Sequence, residues 1–273
     1  MNYELLHMNS CDLTRYKDSF QHRSSFIVNS LLFVLLAILF CSCGKTPPCD
    51  CFESAGSQSS SVRTGIAYFN QLAVYDNVNV YVTIGSPEQI TIEGGKNLIP
   101  NIQTSVSGVV LSLHNGNICN WLRSYKKSII NVYITMPQLI SITNSGYGTV
   151  QSQGVITSDS LVLNTTNSPG DIDLNVNARF INAHMFGTAD LNLSGTCQTF
   201  LCNFFGGTGF VYDSNLVVSD YAFISSNTTG DTYINTTGTL SAAIYSQGNV
   251  YYSGSPTTVQ YYPDGGSGQL IKR

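Results

Sequence analysis

Apolar residues recur at every second position through the first third of the region beyond residue 70. They run Val78, Val80, Val82, Ile84, then Ile90, Ile92, then Val109, Leu111, Leu113, then Ile130, Val132, Ile134, Met136. Period-two alternation predicts strands with one apolar face. Gly85-Ser86-Pro87, Gly94-Gly95, Ser107-Gly108 and Met136-Pro137 punctuate the runs as turns or strand ends. After Pro137 a self-similar unit takes over. Anchored on a glycine, its copies read GTVQS at 148, GDIDL at 170, GTADL at 187, GTGFV at 207, GDTYI at 230, GNVYY at 248 and GSGQL at 266. Most copies carry a second apolar segment: LVL at 161, INA at 181, FLC at 200, AFI at 222, LSAAI at 240. A unit of about 20 residues cannot bury enough apolar surface by itself to offset the entropy of ordering its backbone, so neighbouring copies must stack. The expectation is an all-β protein: a parallel β-helix, or solenoid, of about 20-residue coils over 139–273, preceded by an N-terminal β region (62–138) that caps and continues it.

Within the repeat, the second and fourth positions after the glycine are mostly apolar and face inward, so the first and third face outward. The third position reads Gln151, Asp173, Asp190, Phe210, Tyr233, Tyr251 and Gln269. In that register Asp173 and Asp190 stack on neighbouring coils, and Phe210, Tyr233 and Tyr251 form an exposed aromatic ladder beside them. Paired carboxylates raise one pKa or attract a cation, and exposed rings can stack on sugars. The predicted site is a carbohydrate-binding face; the plain alternative is that these side chains only stabilise coils and keep them hydrated.

Ahead of the repeats, the apolar run FIVNSLLFVLLAILF (26–40) is too short and too interrupted for a comfortable bilayer span and reads as a signal-peptide core preceded by Arg15, Lys17 and Arg23. The following FCSCGK resembles a bacterial lipobox. That resemblance implies removal of 1–42 and lipidation of Cys43, hence a membrane partner through a lipid anchor; an ordinary signal peptide or a retained anchor is the other reading. The Pro- and Ser-rich stretch over 43–61 is expected to be a tether.

Composition excludes some classes. With 42% hydrophobic and 10% charged residues the chain is not disordered by composition, and Val, Ile, Tyr and Phe among Gly, Ser, Thr and Asn are strand-and-turn chemistry. The formal charge of −4 argues against nucleic acid as a partner. Cys49, Cys51, Cys119, Cys197 and Cys202 form an odd set in an exported setting, with Cys197 and Cys202 the closest pair in the body. Only His114 and His184 remain beyond the signal segment, so no metal site and no cofactor are expected. No nucleophile-elbow, zinc-helix, P-loop or dinucleotide motif occurs. A carbohydrate-active enzyme on the same scaffold stays open as fold-level analogy alone.

The stretch CNWLRSYKK, between VVLSLHNG and IINVYITMP, is expected to be a hairpin loop. Trp121 with Arg123, Lys126 and Lys127 reads either as a cap over the first coil or as a basic-aromatic patch for an anionic glycan or lipid head group. Taken in order, LAVYDNVNVYVTIG (72–85), ITIEGGKNLIPNIQTSVSGVVLSL (90–113), INVYITMPQLISITNSGYGTV (130–150), GNVYYSGSP and GSGQLIK resemble the putative auto-transporter adhesin, head GIN domain family of Gram-negative bacteria. CNWLRSYKK is similar to a segment recurring in one branch of it. The resemblance implies a right-handed β-helical body on a lipoprotein or secreted chain and no established activity. The functional expectation is an outer-membrane or cell-surface lipoprotein, with the periplasmic face the alternative. It would serve as a non-catalytic binding or structural module whose partner is a glycan or another envelope or host-surface component.

Overall fold

The computed structural model describes residues 54–118 and 129–273. The signal segment, Cys43, Cys49, Cys51, Cys119 and the loop residues Trp121, Arg123, Lys126 and Lys127 lie outside the described residues. Eight shorter strands come first: β1 (Gln58–Arg63), β2 (Gln71–Val74), β3 (Asn79–Ile84), β4 (Gln89–Gly95), β5 (Ile102–Ser107), β6 (Val110–Asn115), β7 (Asn131–Met136) and β8 (Ser141–Asn144). Four long ones follow: β9 (Val150–Thr165), β10 (Ile172–Gly187), β11 (Leu191–Gly207) and β12 (Val211–Ser226). The last coils divide into β13 (Thr232–Thr236), β14 (Thr239–Ile244), β15 (Val250–Ser253), β16 (Thr258–Pro263) and β17 (Leu270–Lys272). All belong to one continuous hydrogen-bonded sheet wound into a solenoid of about seven turns of about 20 residues.

From β9 onward every pairing is parallel, each strand lying on the equivalent strand of the previous coil. The long strands run along two walls. Their first residues stack on β3 below and on β13, β15 and β17 above. Their last residues stack on β8 below and on β14 and β16 above. Antiparallel pairs are confined to the start, where β1 lies on β4, β4 on β7 and β5 on β6. β1 draws residues 58–61, the last of the expected tether, into the sheet opposite Ile92–Gly95.

The inward rows form the core. On the first wall Val80, Val150, Ile172, Leu191, Val211 and Val250 are all fully buried, and each pairs with its neighbour in the next coil or through Thr232. On the second wall the segments recognised as the second half of each repeat come into register as Leu161, Ile181, Phe200, Ala222 and Leu240, again fully buried. Burying a side chain of this size contributes about 1.5–3 kcal/mol, and the repetition of one inward row through several coils makes the core continuous rather than modular.

The coil spacing is set by a tight corner. A Cβ on Gly148, Gly170, Gly209, Gly230, Gly248 or Gly268 would run into a backbone carbonyl of the coil beneath. The true anchors are therefore these six with Ala189 in the remaining coil. Three glycines that head the repeat in the sequence, Gly187, Gly207 and Gly266, lie two residues too early. The pairings Ile172 with Leu191 and Leu191 with Val211 fix this register. A slip of two leaves every inward and outward assignment intact, because strand side chains alternate with period two. Only the identity of stacked neighbours changes.

Candidate functional site

The outward row expected to carry Asp173 over Asp190 is corrected by that register. Asp173 pairs with Asn192, and below it with Gln151. Asp190 belongs to the outward row two residues earlier, beside Asp171: Ile172 N–H donates to the Asp190 carbonyl, and Asp190 N–H to Asp171 Oδ1 at 2.9 Å. The same bond recurs up the stack. Phe210 N–H donates to Asp190 Oδ1 at 2.9 Å, Asn249 N–H to Asp231 Oδ1 at 2.8 Å, and Gln269 N–H to Asn249 Oδ1 at 3.0 Å. At the base Thr149 N–H donates to Asn79 Oδ1 at 3.3 Å. Asn79, Asp171, Asp190, Asp231 and Asn249, each a short carboxylate or amide at the mouth of its strand, thus take up the backbone donor that enters the next coil. Aligning the segments as DIDL and DLNL, rather than on glycine, would have revealed this row.

Desolvation raises the Asp190 pKa, the neighbouring charge of Asp171 adds to the shift, and the bond from Phe210 N–H opposes it. The expected carboxylate pair exists, but its partner is Asp171. Phe210 occupies the capping row without an acceptor on its side chain. Its ring instead stacks on Tyr212, centroids 5.6 Å apart and planes 9° from parallel.

From Tyr212 the ladder continues to Tyr233 (5.9 Å, 8°) and Tyr251 (5.0 Å, 11°), through direct pairing of these residues in consecutive coils. Phe210, Tyr233 and Tyr251 therefore share one face, and Tyr212, 42% exposed, completes it. Counting from Gly207 had placed Tyr212 outside the row. The near-parallel planes and these separations bear on what the rings can bind. Carbon atoms touch at about 3.5–4.0 Å, so the rings are offset sideways, by on the order of 4 Å, and part of each face stays open. Arg273 occupies that opening at one end, with Cζ 4.9 Å from the Tyr233 centroid and 5.0 Å from that of Tyr251. Desolvation raises the Tyr212 hydroxyl pKa, followed by the charge of Asp190 and smaller effects of Tyr233, Asp231 and Asp171. A shingled aromatic strip bordered by carboxylates is a surface for flat apolar faces and for cations.

Directly behind Tyr212, Asp213 points inward and is fully buried. It pairs with buried Ile234 in the coil above. Pairing between β11 and β12 shifts by one residue between Leu191 and Ser194, and where the rung is interrupted Leu193 N–H donates to Asp213 Oδ1 at 2.8 Å. Ser152 does the same at the shift in β9, accepting from Asn175 N–H at 2.8 Å. Burial pushes the Asp213 carboxyl well above its usual range, with the bond from Leu193 opposing. Cys197 and Cys202 are both buried free thiols. They occupy inward rows on different walls, stacked on Ala178 and Ala183 respectively. Desolvation pushes the Cys197 thiol up to about 12.

Between the walls a groove of about 410 Å³ is lined by Thr157, Asn177, Arg179, Thr196, Gln198 and Ser219 among others. Arg179, on its lining, makes two bonds to Asp159, Nε to Oδ1 at 2.6 Å and Nη2 to Oδ2 at 2.8 Å. That hydrogen bonding holds the Asp159 carboxyl below its usual range. Among the described residues no group of three or more His, Cys, Asp or Glu side chains is placed to hold a metal ion.

These features define a β-solenoid with an aromatic strip on its outer face. The chain belongs to the putative auto-transporter adhesin, head GIN domain family, whose model matches residues 68–256. Among solved structures it is similar to a putative adhesin from Bacteroides fragilis NCTC 9343, at 23% identity, TM-score 0.67, covering 80% of this chain and 97% of that one. A putative adhesin from Parabacteroides merdae ATCC 43184 matches at 19% identity and TM-score 0.52, covering 81% and 98%. A putative lipid binding protein from Parabacteroides distasonis ATCC 8503 matches at 16% identity and TM-score 0.55, covering 80% and 97%. At these identities the likeness is one of fold. None of the curated proteins matches the chain.

Proposed function

We propose that the protein is an exported, surface-displayed lipoprotein, anchored through Cys43, whose solenoid is a non-catalytic adhesion module that holds a glycan against the strip Phe210, Tyr212, Tyr233 and Tyr251. The observation that carries this reading is the near-parallel stacking of four outward rings over three consecutive coils, with Tyr212 exposed at the free end and Arg273 over Tyr233 and Tyr251 at the other. Asp173, and the second carboxylate oxygen of Asp171, Asp190 and Asp231, whose Oδ1 atoms accept backbone N–H groups, supply acceptors for hydroxyl and amino groups along its border. That border disfavours sugars bearing carboxylates or sulfates and favours neutral or amino-bearing ones. The family's adhesin name supports display outside the cell, and the lipobox resemblance supports the anchor.

A glycan array probed with the wild-type protein and with Tyr212→Ala/Tyr233→Ala tests it. Binding to amino-bearing glycans that the double variant loses is the expected outcome. Binding unchanged in the double variant, or no glycan bound at all, overturns the assignment of the strip. Incorporation of a labelled fatty acid into the wild type but not into Cys43→Ser tests the anchor.

A further inference from the structure

The second wall differs from the first in its outward chemistry. Its paired outward rows, Ser160, Phe180, Thr199, Tyr221, Thr239 and Thr258, then Val162, Asn182, Leu201, Phe223, Ser241 and Gln260, then Asn164, His184, Asn203, Ser225, Ala243 and Tyr262, contain no Asp, Glu, Lys or Arg. At the edge of this wall the Phe205 ring stacks on Phe186, centroids 4.6 Å apart and planes 11° from parallel, and on His184 at 5.9 Å and 23°. Phe186 is 39% exposed and Phe205 is 50% exposed, although one face of the Phe205 ring is backed by two other rings.

The backbone departs from regular stacking beside this cluster. Pairing between β10 and β11 holds through Met185 with Phe204, then shifts, so that Gly187 meets Gly207 and the upper coil carries one extra residue. Phe205 stands at that bulge, followed by Gly206 and Gly207 at φ of 121° and 118°. Only glycine adopts such angles without strain; Phe205 itself keeps the outward parity of Leu201 and Asn203, and the bulge ends the regular ladder immediately after it. The core does not need the extra residue, since Met185 and Phe204 are already in register and buried.

We infer that Phe205, backed by Phe186 and His184 and bordered by Asn203 and Ser225, is a second binding site that takes a neutral sugar. The ring supplies a platform for the apolar face of a pyranose, and the amide and hydroxyl groups, repeated from coil to coil, meet its hydroxyls. A charged sugar or a phosphate head group finds no counter-charge in these rows. This site is independent of the tyrosine strip, on the other wall of the solenoid, and stands or falls separately.

Affinity electrophoresis of the full-length protein through gels containing a neutral β-glucan, a mannan, a xylan or an α-glucan tests it, with Phe205→Ala, Phe205→Trp, Asn203→Ala and Tyr212→Ala/Tyr233→Ala alongside. The expected result is retardation by at least one polysaccharide, weakened tenfold or more in Phe205→Ala and Asn203→Ala and kept in Phe205→Trp and in the tyrosine variant. Thermal melting separates lost binding from lost fold; should Phe205→Ala melt early, Asn203→Ala decides. Three results overturn the inference: no retardation of the wild type in any gel, retardation that the Phe205 and Asn203 variants retain, or retardation that only the tyrosine variant loses. Sedimentation with phosphatidylcholine vesicles that depends on Phe205, without retardation by any polysaccharide, would likewise overturn it and assign the edge to a membrane surface.

Discussion

The two walls of one solenoid use their outward positions differently. On the first wall an outward row of Asp and Asn is consumed by the backbone, each side chain accepting from the coil above, and the tyrosine strip runs two residues further along. On the second wall the aromatic cluster lies beside a bulge; two inward rows, from Leu161 to Leu240 and from Leu163 to Ala242, are wholly apolar, and the row next to the cluster, with Met185 and Phe204, also holds Thr165 and Ser226. Substitutions on the first wall therefore mix stability with recognition, whereas those at the Phe205 edge separate them. Exposure alone does not make this distinction. It comes from asking what each outward atom is bonded to.

The largest expected effect lies at the first wall's corner. Gly230→Val drives a side chain into the Gly209 carbonyl and is expected to cost about 3 kcal/mol or more, read as a large loss of Tm or of folded protein. Gly206→Ala on the second wall meets open space and costs only the strain of its φ, about 1–2 kcal/mol. Comparable losses from the two would break the contrast.

Next comes the buried carboxyl behind the strip. Its folded pKa is raised above the ordinary 3.8, so below that value both folded and unfolded chains hold the proton and there is no penalty. As pH rises from there toward the folded pKa, the unfolded chain ionises first and stability falls by about 1.4 kcal/mol per pH unit. Asp213→Asn keeps an acceptor for Leu193 N–H and is expected to flatten that slope and raise Tm at neutral pH. A slope unchanged in the variant, measured by denaturant unfolding between pH 4 and 8, would show that the carboxyl is not the cause.

A smaller loss is expected from Asp231→Ala, which removes the acceptor for Asn249 N–H, at about 1–2 kcal/mol; Asp231→Asn should recover most of it. Smallest of all, Phe205→Ala is expected to change stability by about 0.5 kcal/mol or less, as for an exposed side chain away from the core. A loss several times larger would make the second wall's aromatics structural and erase the difference between the walls.

What the sequence discloses follows the same division. Parity along a strand is local, so the inward assignment of Ile172, Leu174, Leu191 and Val250 and the recurrence of about 20 residues are readable from the letters alone, and the family resemblance agrees with the match over residues 68–256. Register between coils is not local. Corners of this chain differ by one or two residues and offer glycines at both Gly207 and Gly209, or Gly266 and Gly268, so an alignment on glycine can slip by two without violating the pattern. That slip hid Tyr212 and exchanged Asp171 for Asp173. Asp213 was hidden for another reason: a charged residue at an inward position is justified only by the interrupted rung at Leu193, which no single coil displays. Phe205 keeps the outward parity of Leu201 and Asn203; what hid it is register, since the Phe186 ring it stacks on and the extra residue that follows it show only when neighbouring coils are paired.

The row of Asp and Asn acceptors also gives the stack a direction. Each acceptor belongs to the earlier coil and each donor to the later one, beginning with Asn79 for Thr149. A chain released amino end first presents each of these acceptors before its donor arrives, so the later coil docks on a finished template. Mechanical load on the far end would strip coils in the reverse order, and the coils left behind that end on Asn79, Asp171, Asp190, Asp231 or Asn249 would keep their acceptor ready to rewind the next.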